Sequence, residues 1–530
     1  MNLRQLLERQ SQKDPDKTFL YFGDQEISYR NFDASVNRAA NVFLDLGIKK
    51  GDRVCFFLPN CPEFLYGWFG LAKIGGVLVP INTNYKTEET RYILHHSEAN
   101  TVLVHASLKE VVERIRSETP SLKNLLSLGE KKEENGCLPF EGALRNAPTD
   151  LRPTEVGEED LCEIMYTSGT TGPSKGVMMT HKYWIINGYG YSYPMDVKPQ
   201  DRLFTCLPLF HANAQGYSTL GALTGGASLI LIERFSATKF WDQIRHYRAT
   251  VFNFIGAMLT ILSKQPELEK DRDHQVRAAY GSPALEKTFR QYMEQRFGIL
   301  FVSGYGLTEC GLCIIQPLHG VRKENSMGLA KQIPGFGFVN EIKIVDENDR
   351  EVQRGTVGEI VIKNPAVTTG YYKDPGLTSR VIRDGWLHTG DQAWMDEDGY
   401  FFFADRKKDV IRRRGENVSS IEVEGVINAH PKVAESAVIG VPSEFQDDEV
   451  KAFVILKPNE NLDPLDLIRW CTERLAYFKV PRFIEFRTEF PRTPTLRVQK
   501  YKLREEGKNK DCFDLEKTDF KLKQQRKIHE

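Results

Sequence analysis

The stretch Tyr166-Thr-Ser-Gly-Thr-Thr-Gly-Pro-Ser-Lys-Gly-Val-Met-Met-Thr-His181 constrains this chain more than any other. Leu161, Ile164, Met165 and Tyr166 predict a strand entering it, and Val177 to Met179 a strand leaving it. Between the strands stand the hydroxyls of Thr167, Ser168, Thr170 and Thr171, the glycines Gly169, Gly172 and Gly176, and Lys175. Glycine lets backbone amides turn towards an anion, hydroxyls donate further hydrogen bonds, and Lys175 adds a mobile positive charge. Such a loop suits a polyphosphate. It is not the phosphate loop of P-loop NTPases, because Ser174 precedes Lys175 and Gly176 follows it. An ordinary Ser/Thr/Gly surface loop is the bland alternative, and it accounts poorly for this length and order.

The rest of the chain predicts an α/β protein. Phe32 to Leu46 reads as a helix, Arg53 to Leu58 as a buried strand, Pro62 to Ile74 as a helix and Val77 to Ile81 as a strand. A second such cycle covers Asn100 to Leu128, and the pattern resumes between Leu203 and Tyr280. Alternating strands and helices argue mostly parallel sheets covered on both faces. Glu341–Val345 and Gly358–Ile362 alternate apolar and polar residues instead, which suggests a small β-barrel or sandwich appended to the α/β sheets. The division predicted is a large N-terminal region over 1–404, made of two α/β subdomains plus the barrel. A charged hinge at 405–409 follows, then an α+β domain over 410–505 and a charged, weakly ordered tail over 506–530.

Charge excludes some partners. Lys+Arg number 71 against Asp+Glu 72, so no net field draws nucleic acid or an anionic membrane, and any anion must be held by a built site. The most apolar window, Tyr66 to Ile81, is interrupted by Lys73 and is too short to span a bilayer. Nine scattered cysteines argue against a disulfide framework and for a reducing, cytoplasmic setting. Cys310 and Cys313 form a Cys-x-x-Cys without a second pair at zinc spacing, and read as packing or pocket-lining thiols.

Further motifs follow in order. After the strand run Leu300 to Val302, Gly304-Tyr-Gly-Leu-Thr-Glu309 predicts a turn. It would offer the Tyr305 ring to a purine, the Thr308 hydroxyl to a phosphate and the Glu309 carboxylate to a hard cation. A strand-end turn with a packed tyrosine is the plainer reading. Asp391, closing Trp386-Leu-His-Thr-Gly-Asp391, has the bidentate carboxylate a vicinal diol calls for.

Taken together, these stretches resemble the adenylate-forming superfamily of acyl- and aryl-CoA synthetases, luciferases and peptide-synthetase adenylation domains. The resemblance runs from about residue 10 to 505. Gly70–Gly75 and Arg414–Ser420 resemble the crotonobetaine/carnitine and medium-chain acyl-CoA ligases within it. It implies an ATP-dependent acid–CoA ligase, with ATP, Mg2+ and coenzyme A, acting on a small carboxylic acid in two steps. An acyl-adenylate forms first, and the CoA thiol then displaces AMP. By the same resemblance, Thr167–Gly172, Lys175, Thr308 and Glu309 serve the phosphates and metal. Gly281, Ser282, Tyr305 and Gly306 serve adenine, while Asp391 and Arg406 serve ribose. His211 falls beside the substrate carboxylate, although a lone histidine after a strand is as often structural. Gln215, Ile255, Met258 and Cys310 are pocket-lining candidates by the same analogy.

Two departures stand out. Arg413-Arg-Gly-Glu-Asn417 resembles the family's Arg-Gly-Gly-Glu-Asn loop of the thiol step, with Gly415, Glu416 and Asn417 in place and Arg414 where a glycine is expected. A left-handed backbone there would be costly, though an extra cation would suit CoA phosphates. Near the C-terminus, Arg497 occupies the place of the family's adenylation lysine, and Lys500 three residues on is the alternative. Loading of a separate carrier protein, a luciferase-like oxygenase and a catalytically weakened nucleotide sensor all stay open. Which acid is used and the oligomeric state, monomer or homodimer, are not legible.

Overall fold

The computed structural model describes residues 1–520 apart from 135, 152–153, 168–173, 283, 286, 334–339, 407–409, 445–446, 492–497, 499 and 508–511. For residues 257, 404–406, 410, 417, 419, 421 and 501 it describes the backbone alone. Ser168, Gly169, Thr170, Thr171, Gly172, Arg497 and most of the hinge therefore lie outside the described residues.

Two α/β bodies form the N-terminal region, as the alternating pattern predicts. The first is a seven-stranded sheet in the order Cys137–Pro139, Asn124–Leu128, Thr101–His105, Arg53–Phe57, Val77–Pro80, Leu161–Thr167 and Lys175–Thr180. Its strands are parallel until the last pair, Leu161–Thr167 with Lys175–Thr180, which is an antiparallel hairpin. The second body has the parallel series Thr18–Phe22, Ser228–Leu231, Arg202–Thr205, Val251–Ile255, Ala278–Ser282 and Leu300–Leu307. Helices Tyr29–Asp45 and Pro62–Ile74 pack on one another, burying Phe32, Phe43, Phe64 and Phe69. Lys73, which interrupts the apolar window, is 1% exposed and lies 2.5 Å from Asp33 and 2.8 Å from Asn37. No helix among the described residues is long and apolar enough to cross a membrane.

The antiparallel strands continue the second sheet edge to edge, through Gly311–Ile315, Ser326–Ala330, Phe401–Arg406, Trp386–Met395, Gly358–Lys363 and Glu341–Val345. Beyond them lies the hairpin Val410–Arg413 with Glu416–Ser419. Helix Ser420–Asn428 and a four-stranded sheet of Val433–Pro442, Asp448–Leu456, Phe483–Phe486 and Phe513–Asp514 complete the C-terminal part.

The tail differs from the reading of its composition. Phe513–Asp514 pairs with Phe483–Phe486, Leu515 is 4% exposed, and Arg482 grips Asp514 at 3.0 Å. Residues 512–520 are described, and there acidic side chains answer arginines on the sheet edge, Asp514 and Glu516 meeting Arg482. Removal of residues 512–530 is expected to cost the C-terminal domain about 2–4 kcal/mol, from lost apolar burial and stranded arginine charge. Urea denaturation followed by C-terminal tryptophan signals would measure it, and an unchanged midpoint would contradict the packing.

Candidate active site

In open α/β sheets, ligands gather outside the carboxyl ends of the strands. The motifs converge there. The hairpin of Leu161–Thr167 and Lys175–Thr180 docks on residues 368–372: Tyr372 N–H donates to the Gly176 carbonyl at 2.8 Å and Met178 N–H to Gly370 at 3.0 Å. The same segment holds Glu309. Thr368 N–H donates to the Glu309 carbonyl at 2.7 Å, and the Tyr371 hydroxyl to its carboxylate at 2.9 Å. The Lys175 ammonium lies 5.8 Å from the centre of the Tyr371 ring, so Lys175 and Glu309 flank one tyrosine. Burial pushes the Glu309 carboxyl up, against the pull of Tyr371 and Lys175. Tyr183 donates to the Thr308 carbonyl at 2.9 Å and fixes the same turn from below.

The strand expected to end at Val302 runs on to Leu307, so Tyr305 and Gly306 lie in a ladder rather than a turn. A Cβ on Gly306 would collide with the Gly311 carbonyl, which explains the glycine by close backbone approach. Tyr305 is buried and donates to Asp391 at 2.9 Å. Asp391 and Arg406 are direct partners on antiparallel strands, so ladder register brings the two ribose candidates side by side. Gly281 and Ser282 close the strand Ala278–Ser282, opposite Phe254 and Ile255.

The hairpin carrying Gly415 and Glu416 sits against the N-terminal region. His211 Nε2 is 2.9 Å from the Glu416 carboxylate, and Asn82 donates to the same oxygen at 3.4 Å. Gly415 presses on Ile255, where an added Cβ would stand 2.6 Å from Cδ1. Gln215 is buried in a π-helical turn, Asn213–Thr219, and donates to the Leu209 carbonyl at 2.7 Å. Met258 lies 3.7 Å from the Cys206 sulfur. All nine cysteines are free thiols, and Cys310 and Cys313 are buried as read.

Other candidates are placed differently. Lys500 opens the helix Lys500–Glu506 and bonds Glu424 at 2.6 Å and Ser420 at 2.9 Å, both within its own domain. Arg414 does adopt the left-handed backbone, at φ 53°, but its guanidinium lies 3.9 Å from Glu449 and 3.8 Å from Glu516. Acidic neighbours already answer the charge that the sequence offered to CoA. Sequence reasoning missed Glu163, a fully buried carboxyl in the strand Leu161–Thr167, beside Gln215 and Trp184. Burial pushes it well up. An acid inside an apolar strand run was the available signal.

Residues 7–372 match the AMP-binding enzyme family, and residues 422–496 match the AMP-binding enzyme C-terminal domain. The chain belongs to the AMP-binding enzyme family. A crotonobetaine/carnitine–CoA ligase of Salmonella agona is 36% identical over 515 residues, 95% of this chain and 99% of that protein. The solved structure of an anthranilate CoA ligase with anthranoyl-AMP matches with TM-score 0.72 at 30% identity, covering 96% of this chain and 97% of that one. A Mycobacterium tuberculosis fatty acyl CoA synthetase matches with TM-score 0.71 at 31% identity, over 95% and 98%. Within the family the chain is an AMP-forming acyl-CoA synthetase.

The His211–Glu416 contact gives a titration test. Burial works to lower the His211 pKa, and the charge and hydrogen bond of Glu416 more than offset it, so it stands above its ordinary value. A group raised on folding contributes fully below its unfolded pKa and loses that contribution as pH rises through the folded one. The contact is therefore strongest in mild acid. In Glu416→Gln, imidazole resonances should titrate at lower pH than in the parent, and an unmoved titration would show the two domains apart in solution.

Proposed function

We propose that this synthetase activates a small carboxylic acid with ATP and magnesium and hands the acyl group to coenzyme A, using the residues gathered above. The acid's carboxylate attacks the α-phosphate, which forms the acyl-adenylate and releases pyrophosphate. The CoA thiol then attacks the acyl carbonyl and releases AMP. Carboxylate and triphosphate repel one another, so the first step needs fixed positive charge and donors where negative charge concentrates.

Lys175 and the Thr167–Gly172 loop serve the phosphates, with Thr308 beside them. Glu309 would hold magnesium, since one carboxylate plus phosphate oxygens is a usual ligand set, and the ion when bound neutralises triphosphate charge. Gly281, Ser282, Tyr305 and Gly306 receive adenine, Asp391 and Arg406 the ribose hydroxyls. Arg497 or Lys500 supplies the C-terminal cation of the first step. His211 faces the acyl carboxyl, and Gly415, Glu416 and Asn417 belong to the thiol step. The observation that carries this reading is the shared segment at 368–372, which binds the Lys175 hairpin and Glu309 into one site. Nine free thiols support a reducing, cytoplasmic setting.

Acid-dependent pyrophosphate release, with and without CoA, is the test. The panel begins with crotonobetaine, carnitine, fatty acids and anthranilate, the acids its relatives' names offer. Acyl-CoA and AMP are expected only with CoA present. Lys175→Ala and Glu309→Gln should each lower kcat/KM about a hundredfold or more, the scale of a lost charge-stabilising group. Pyrophosphate release at the parent rate in both variants would overturn the assigned roles. Ile255 should likewise feel Gly415→Ala, which ought to slow the thiol step while sparing pyrophosphate release.

A further inference from the structure

A buried cluster joins the two parts of the chain away from the reacting atoms. Lys479, in the turn before the strand Phe483–Phe486, has a side chain only 1% exposed. Its ammonium lies 2.9 Å from Glu89 and 2.7 Å from Glu422, and 4.6 Å from the centre of the Tyr85 ring. Glu422 belongs to its own domain, on the helix Ser420–Asn428. Glu89 and Tyr85 belong to the N-terminal region, at the start of the helix Thr87–Ser97. One lysine with three donors thus ties a carboxylate on each side of the domain boundary, under an aromatic face.

The cluster is rigidly connected to the loop at the acyl site. Arg413 donates to the carbonyls of Phe478, at 3.1 Å, and Val480, at 2.6 Å, the two residues that flank Lys479. Across the hairpin, Arg413 is the direct partner of Glu416. On the N-terminal side, Asn82 reaches Glu416 and Glu89 reaches Lys479, seven positions apart in one segment. Two anchor points on 82–89 therefore meet two on the C-terminal domain, and together they fix its orientation. In this arrangement Glu416, on the loop read for the thiol step, meets His211, so the cluster is argued for that step.

We propose that Lys479 is a positioning residue for thioester formation: bridging Glu89 and Glu422, it fastens the C-terminal domain where Glu416 meets His211. The proposal rests on the ligase reading above. A lysine that touches no substrate acts here through geometry, and adenylation, which uses another orientation of the domain, does not require it.

The test separates the two half-reactions in the full chain. Acid-dependent exchange of labelled pyrophosphate into ATP reports the first. Single-turnover decay of preformed acyl-adenylate on adding CoA reports the second. Lys479→Met and Glu89→Gln should leave exchange within about twofold of the parent while slowing the CoA step about tenfold or more, as displaced reacting groups do. In Glu89→Gln the new side-chain carbonyl can still accept from Lys86 N–H, a 2.9 Å bond in the parent, so that helix start is kept. Lys479→Arg should restore part of the lost rate. Equal loss in both steps, or none in the second, would overturn the proposal while leaving the ligase reading intact. Absence of exchange in the parent with every acid would overturn both.

Discussion

The site depends on a short backbone seam. Gly370 and Tyr372 hydrogen-bond the hairpin that carries Lys175, and Thr368 and Tyr371 hold the main chain and carboxylate of Glu309. Motifs separated by more than a hundred residues meet because one extended segment satisfies the polar groups of both. Backbone groups buried away from water must be paired, and here that requirement also positions charge. The seam explains why Lys175 and Glu309 share a tyrosine rather than lying on unrelated loops.

Local assembly matters because the chain as a whole offers no field. With 71 basic and 72 acidic side chains, attraction for a triphosphate must come from groups held at short range, where partial burial strengthens each of them. The fold supplies that by ending several parallel strands at one edge. On the proposed reading, a single arrangement of the C-terminal domain would not serve both steps, since a cation is wanted at the acyl-phosphate bond first and the thiol later. The structure captures one arrangement, with Glu416 against His211 and Lys500 turned to Glu424.

Much of this was legible in the sequence. The helix Pro62–Ile74 and the strand Glu341–Val345 follow from periodicity at the very residues observed, and the hairpin around Lys175 from its glycines and hydroxyls. Asp391 and Arg406 were both read toward the ribose, and ladder register shows them as direct strand partners. Part of the tail, 512–520, differs from its reading because charge-rich composition hides partners: Asp514 pairs on a strand only where Arg482 waits on the sheet edge. Glu163, Glu89 and Lys479 were missed for a related reason. A charged residue in sequence looks solvated until the tertiary fold buries it.

Polar contacts at the domain boundary would suit an interface that forms and breaks, as the proposed two-step use of the domain requires. A large apolar seam of equal area would lock one arrangement, at about 25 cal/mol for each Å² buried. A buried ion cluster differs, because desolvation of its charges offsets most of the attraction between them, while breaking it one-sidedly costs about 3–5 kcal/mol. Lys479 between Glu89 and Glu422 therefore adds little net adhesion but strongly disfavours near-miss orientations. Were the domain to turn, Glu422 would stay with the lysine and Glu89 would meet water, so neither charge would be stranded. The same chemistry that makes the cluster weak as glue makes it selective as a guide.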